Sequence, residues 1–347
     1  MIKILSEDKF DEWDDFVFNH KYGTIYHTSQ WFSVVKNTYN FHPVIVVDYR
    51  NGIEYGIPFL LHNSLLRSKR LCSITSAQAC NPLVNNISQL EELLRFIIDF
   101  MKKEKISLSE LRITEDFEYK STSIINGRSE FSTYILDLKQ SYDKIRLNYH
   151  KSCIQRPLKK ASNYNLKLIK GQSIDDVKIF YDLYKTMRKD NGLLPQPHSF
   201  YSNLWYYLSA KNLCEIFHAQ YKGQIVSSVI NFKYKNTYTY EYGATDKLFT
   251  KYNPSHFLID HSIKTATSED YKIFDFGRTE NSNTGLIDFK RRWGGKKLDF
   301  YYYSLPHGSE KSISPHKKLE NIARFFISHA PKFVYHNIGE ILYKAAF

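Results

Sequence analysis

Cysteine is scarce in this chain, and its placement excludes most of what cysteine usually does. There are four among 347 residues, Cys72, Cys80, Cys153 and Cys214. None forms a CxxC pair, and the spacing fits neither a zinc site nor a disulfide framework, so reduced and mostly buried thiols are expected. Long apolar runs are missing too: stretches such as "YGIPFLLH" are far too short to cross a bilayer. The N-terminus, "MIKILSEDKFDEWDD", turns acidic at once and does not read as a secretory leader, so a cytoplasmic location is expected. There is no P-loop and no Gly-x-Gly-x-x-Gly run, which removes the usual nucleotide cradles. The 13 histidines are scattered, and His256 and His261 are five positions apart, a poor spacing for shared ligation on a helix. No metal site is expected, and no conspicuous catalytic triad is visible.

Positive charge, by contrast, is in surplus. Forty-eight Lys and Arg against 36 Asp and Glu leave a net charge of +12, spread along the chain rather than held in a tail. Such a surface favours anionic partners: phosphorylated ligands, nucleic acid, or an anionic membrane face. The content of 42% hydrophobic and 24% charged residues is that of an ordinary globular protein, and the length favours two domains.

Periodicity gives an α/β reading with α+β mixed sheets. The first half reads as a strand near 2–5, helices near 7–19 and 29–38, and a hairpin through Asn51 and Gly52. A strand near 70–75, a helix over 88–105 with Ser88 at its N-cap, and strands near 110–114 and 131–138 follow. The second half gives a strand near 165–169, helices near 174–190 and 198–209, and a second hairpin. A strand over 238–244, a helix over 255–268, a strand over 272–276, a short helix and a final strand complete it. The order of elements therefore repeats at an offset of roughly 170 residues, the mark of an internal duplication. We divide the chain into residues 1–140, residues 141–312 with a basic linking helix bent or restarted at Pro157, and a helical tail over 313–347. The tail carries an apolar stripe that serves either core packing or an anionic membrane face.

One segment gathers unusual chemistry. "DFGRTENSNTGLIDFKRRWG", residues 275–294, packs acids, cations, glycines and aromatics into the end of a short apolar strand. Its Asp275, Phe276, Gly277 and Arg278, followed by Gly285, Leu286, Phe289, Lys290, Trp293 and Gly294, resemble the signature of the Fem-type family. Members of that family carry two tandem GNAT-like domains, the acyl-CoA N-acyltransferase fold. "YHTSQWFSVVK" with Trp31 and Lys36, the basic "CIQRPLKKA", and "YTYEYGATD" are weaker echoes of the same family. The helical hairpin inserted in some members is missing here. So is the glycine-rich pyrophosphate loop of CoA-using GNAT enzymes, where "DKLFTKYNPSHFL" stands instead.

The resemblance implies transfer of an acyl or aminoacyl group to an amine, with no tightly bound cofactor. The donor would be aminoacyl-tRNA or acyl-CoA. The acceptor would be an anionic, phosphorylated nucleotide- or lipid-linked precursor of the cell envelope, either peptidoglycan or a surface-polysaccharide amino sugar. In this fold two neighbouring strands splay, and a backbone N–H polarises the carbonyl, which assigns that role to the region of Gly243 and Gly277. Lys290 is the favoured side chain, for an oxyanion or a phosphate, although a solvated helix face would also explain a Lys-Arg-Arg run. Asp275 is either the base for the amine proton or an ion-pair partner of Arg278 or Lys290. Arg278 itself serves a ligand at a strand end, or pairs with Asp275 or Glu280. Lys36, Arg156, Lys159 and Lys160 would clamp a diphosphate, unless the basic helix is merely solvated. Glu241 and Tyr242 lie on the splayed strand, and alternation lets only one face the ligand. Phe289 and Trp293 would line the substrate. Asn253, Ser255 and His256 open a helix whose free N–H groups suit an anion, or form a generic cap. A non-catalytic RNA- or membrane-binding role is the alternative of another class.

Overall fold

The computed structural model describes residues 1–64, 67–74, 76–106, 108–119 and 128–305, together with Ile327, His329 and Tyr335. In chain order the elements begin with β1 (Ile2–Ile4), α1 (Phe10–Asn19), α2 (Ser29–Tyr39), β2 (His42–Tyr49) and β3 (Ile53–Ser64). They continue with β4 (Arg67–Cys72), α3 (Ile87–Glu104), β5 (Leu108–Thr114), β6 (Arg128–Asp137), α4 (Tyr142–Leu147) and α5 (Arg156–Asn163). Next come β7 (Lys167–Gly171), α6 (Ile174–Asp190), α7 (His198–Leu204), β8 (Cys214–Tyr221), β9 (Gln224–Tyr234) and β10 (Thr237–Thr245). The last are α8 (Pro254–Ser268), β11 (Ile273–Asp275), β12 (Thr279–Glu280), α9 (Thr284–Arg291) and β13 (Lys296–Leu305). No helix among the described residues is long and apolar enough to cross a membrane.

The chain forms two compact units, and each takes back a piece of the other's sequence. The first comprises residues 1–133, 278–282 and 298–311; the second comprises 134–277, 283–297 and 312–347. A single cut near residue 140, as the sequence suggests, misses this exchange.

In the first unit the strand order is β1-β2-β3-β4-β5-β13. β4 runs parallel to β5, and the other neighbours are antiparallel. The β2–β3 hairpin closes through Arg50, Asn51 and Gly52, with a register shift at Tyr49. Neither Asn51 nor Gly52 adopts positive φ. The turn is therefore not the mirror-image type that Asn-Gly favours, and the extra residue absorbs the twist instead. Helix α3 packs Leu90, Leu93, Leu94, Ile97 and Met101 onto Val46, Ile57 and Leu111. Its cap is Asn86, whose side chain accepts from the Gln89 N–H at 3.0 Å, two residues before the expected Ser88. The opposite face meets α1, since a Cβ on Gly56 would stand 3.0 Å from the Trp13 ring and 2.8 Å from Val47.

In the second unit the order is β6-β11-β10-β9-β8-β7. The β8–β9 turn uses Lys222 and Gly223, both at positive φ (48° and 87°), as a tight hairpin requires. Helices cover both faces. Ile259, Ile263 and Ala266 of α8 join a core with Tyr238, Phe274 and Trp293, while Phe232 and Tyr242 point the other way, toward Phe200 and Tyr201 of α7. The basic linking helix is interrupted before Pro157, at His150 (ψ 124°), rather than at the proline. α4 ends at Leu147, and after His150 a π-turn over Lys151–Gln155 runs directly into α5, which carries Pro157 in its first turn while the Cys153 carbonyl meets the His256 ring. The tail reading falls outside the described residues except at three positions. There the buried Tyr335 donates to the Leu193 carbonyl at 2.8 Å.

The α3 stripe gives a direct check of the first core. Ile97 is fully buried (0% exposed), so Ile97→Ala should cost about 2–5 kcal/mol in urea unfolding. A loss below about 1 kcal/mol would show that α3 does not build this core.

Candidate active site

The site begins with a ladder that stops. β10 and β11 run parallel, paired at Thr237–Ile273, Tyr238–Phe274 and Thr239–Asp275, and the register ends there. β10 goes on to Thr245 against β9 alone, with a bulge between Tyr240 and Tyr242. The chain after Asp275 follows β6 instead: the Phe276 N–H donates to the Tyr134 carbonyl at 3.0 Å. Gly277 then turns at φ 76°, a conformation that only glycine adopts freely. The two strands thus part beyond Thr239 and Asp275.

Lys290 reaches this opening from α9. Its Nζ donates to the Gly277 carbonyl at 2.6 Å, and the residue is only 6% exposed. Burial pushes its pKa down from 10.5 to about 8, against the opposing pull of the Asp275 and Glu241 carboxylates. A solvated helix face therefore does not describe Lys290, although its neighbour Arg291 is exposed and pairs with Asp288 at 2.8 Å. α9 folds here because the Asn283 side chain caps it, accepting from the Leu286 N–H at 3.2 Å. Its inner turn presents Phe289 and Lys290, and Trp293 follows just beyond its end.

Several assignments are corrected. Trp293 is a core residue, 0% exposed, against Tyr149, Phe276, His256 and Phe289, so it supports the site rather than lining a substrate. The Gly277 N–H is not available to polarise a carbonyl, because it donates to Asp275 Oδ1 at 2.8 Å. Asp275 pairs with neither Arg278 nor, at ion-pair distance, Lys290; it fixes the Gly277 turn and acts on Lys290 through the field. Arg278 makes no ion pair with Glu280. It donates from Nη1 to the Tyr302 hydroxyl at 2.9 Å, and its guanidinium lies 4.4 Å from the Phe131 ring centroid. The bulge settles which of the strand pair faces the opening: Tyr242 packs on Phe200, Tyr201 and Phe232, and Glu241 is the one felt by Lys290. Gly243 is needed for a reason the sequence does not show. A Cβ there would stand 2.0 Å from the Tyr240 hydroxyl, which lies across it.

Asn253 sits in the left-handed region (φ 57°) and its side chain does not cap α8, so the generic-cap reading fails. The first N–H groups, including those of Ser255 and His256, are the unpaired donors of a helix start. The His256 ring is half-buried, with Nε2 3.2 Å from the Cys153 carbonyl, and burial holds its pKa below the usual histidine range. Arg156 lines a groove of about 1150 Å³ on the outer side of α8, with Arg146, Lys151, Lys159 and Lys264. Lys160 is exposed on α5 and is not among its walls. Lys36, in the first unit, is half-buried and ion-paired to the exposed Glu7 at 2.6 Å. Arg146, Lys151 and Lys264 were missed by sequence reasoning. The signal was present on α8, where Phe257, Asp260, His261 and Lys264 recur at helical spacing on its outward face.

Against this geometry the comparisons are specific. Residues 152–291 match the family model described as an acetyltransferase (GNAT) domain, and this part of the chain is a GNAT domain. The fold of the chain as a whole is that of the Fem-type tandem-GNAT structures. It superposes on FemX with a TM-score of 0.71 at 15% identity, covering 87% of this chain and 97% of that one. L-PGS from Bacillus licheniformis gives a TM-score of 0.56 at 12% identity, covering 94% and 99%. A tandem GNAT protein from the clavulanic acid biosynthesis pathway gives 0.51 at 8% identity, covering 88% and 98%. No curated protein sequence matches.

The depressed pKa of Lys290 has a consequence for stability. Between about pH 8 and 10.5 the folded chain binds fewer protons at this group than the unfolded chain, so stability rises with pH across that window. Below the window the penalty of a buried ammonium is carried in full, on the order of 3 kcal/mol. Lys290→Met should therefore melt at a higher temperature than the native protein at pH 7, and the gap should shrink toward pH 10. Equal melting temperatures at pH 7 would show that Lys290 is not desolvated.

Proposed function

We propose that the protein is an N-acyltransferase that moves an acyl or aminoacyl group onto an amine of a cell-envelope precursor, a peptidoglycan unit or a surface-polysaccharide amino sugar. The observation that carries this reading is the buried Lys290 ammonium at the point where β10 and β11 part. The donor is an activated ester or thioester, aminoacyl-tRNA or acyl-CoA. The likeness in fold to FemX and to a tandem GNAT protein supports acyl or aminoacyl transfer as the reaction class. The acceptor carries phosphate, which suits the net charge of +12. The working place is the cytoplasm, at the membrane face where lipid-linked precursors lie.

The chemistry follows from the site. The acceptor amine attacks the carbonyl carbon; a C–N bond forms, the C–O or C–S bond to the donor breaks, and the proton the amine loses passes to the departing alkoxide or thiolate. Negative charge gathers on the carbonyl oxygen in between. Lys290, held charged at neutral pH in a water-poor setting, stabilises that oxygen more strongly than a solvated lysine would. Asp275 and Glu241 offset its charge in the resting state. Because Gly277 already uses its N–H, Lys290 takes the larger share of the work that a free backbone donor would do. The α8 start, with Ser255 and His256, suits the phosphate of the donor.

The test is product formation with the full chain, acetyl-CoA or charged tRNA, and a nucleotide-linked amino sugar, read by mass spectrometry. Lys290→Met should lower kcat by about 100-fold or more. The native alkaline limb should fall near pH 8, where Lys290 discharges, and Lys290→Arg should move that limb upward. Unchanged turnover in Lys290→Met would refute the proposed role.

A further inference from the structure

The first unit carries a group of arginines that take no part in the bond-making step described above. Sheet register puts them on one face. Cys72 pairs with Glu110 and Arg112 pairs with Tyr302, so the side chains of Arg70, Cys72, Glu110, Arg112 and Tyr302 project to the same side. That side is opposite the α3 core, which takes Leu71, Leu111 and Ile113. Arg278 joins them from the short strand β12, donating to the Tyr302 hydroxyl at 2.9 Å.

The arrangement is layered. Phe131 and Tyr302 stack with centroids 5.4 Å apart and planes at 22°. Each ring carries one guanidinium over it, Arg278 at 4.4 Å from Phe131 and Arg112 at 5.0 Å from Tyr302. Arg112 is fixed by its Nε, which donates to Glu110 Oε1 at 2.7 Å, with 13% of its side chain exposed. Arg70 lies close enough for the Cys72 thiol to feel it alongside Arg112 and Glu110, and its Nη2 is buried with no hydrogen-bond partner. Glu280, in register with Phe131, makes no ion pair with any of the three.

A buried guanidinium nitrogen without an acceptor is costly, and a planar fork held on aromatic rings is preorganised for a planar oxyanion. Three guanidiniums, two of them held on rings, share this face with two carboxylates, of which Glu110 is engaged by Arg112. We propose that this face is a binding site for an oxyanion, a carboxylate or a phosphate ester, with Arg112 and the exposed Arg278 on the stacked rings and Arg70 at the buried end of the same face. The acyltransferase reading identifies the natural ligand as the acceptor; the binding itself does not depend on that reading.

The test is calorimetric titration of the full chain with inorganic phosphate and, separately, with succinate, at constant ionic strength. Saturable binding of one of them is expected, and which binds tighter distinguishes phosphate from carboxylate. Arg278→Gln, at an exposed position, and Arg70→Gln should each weaken that binding at least fivefold with the melting temperature preserved. Lys102→Gln, a surface change on α3, should leave it unaltered. Where one arginine variant fails to fold, the other decides. Saturation with neither anion, unchanged affinity in the arginine variants, or an equal loss in Lys102→Gln would overturn the site. Because no acyl transfer is measured, an inactive enzyme with intact anion binding would count against the proposed function and not against this site.

Discussion

A single buried ammonium organises the second unit. Lys290 is brought to the Gly277 carbonyl, and this one contact fixes three things at once. It orients α9 against the sheet, it stabilises a turn that leaves β11 early, and it puts a positive charge where β10 and β11 separate. Burying a lysine with one neutral acceptor and two offset carboxylates is unfavourable for stability. Such an arrangement persists where the charge has work to do, which is why a perturbed group at a strand opening outweighs the exposed cations nearby.

The surrounding residues are arranged to hold that charge in place. Trp293, Phe276, Phe289 and the His256 ring pack against one another around the end of α9, which carries Lys290. Asp275 pins the Gly277 N–H and thereby aims the carbonyl that Lys290 meets. The bulge in β10 turns Glu241 toward the opening and leaves Tyr242 in the aromatic packing of α7. Tyr240 lies across Gly243, so the absence of a side chain at that position makes room for a ring of the same strand.

Much of the fold was legible because its signals are local. The α3 stripe and the hairpin at Lys222 and Gly223 follow from spacing and turn chemistry alone, and the motif at 275–294 pointed to the GNAT fold that the comparisons bear out. The prominence of Lys290 was legible too, but not its burial, since Arg291 and Arg292 beside it read as solvent-facing. Trp293 was misjudged for the same reason: charged neighbours disguise a core residue. The occupied N–H of Gly277 and the packing of Tyr240 depend on contacts that no residue pattern encodes. The arginine face of the first unit was out of reach, because Arg70, Arg112, Arg278 and Tyr302 come together only through strand register, and the last two return to that unit from late in the chain.

The protonation state of Lys290 can be observed directly. In protein labelled with ¹³C at lysine Cε, the resonance assigned through Lys290→Met should titrate near pH 8, apart from the surface lysines. A midpoint near 10.5, shared with the rest, would mean that Lys290 is solvated and that the opening beside Gly277 is not a charged acyl site.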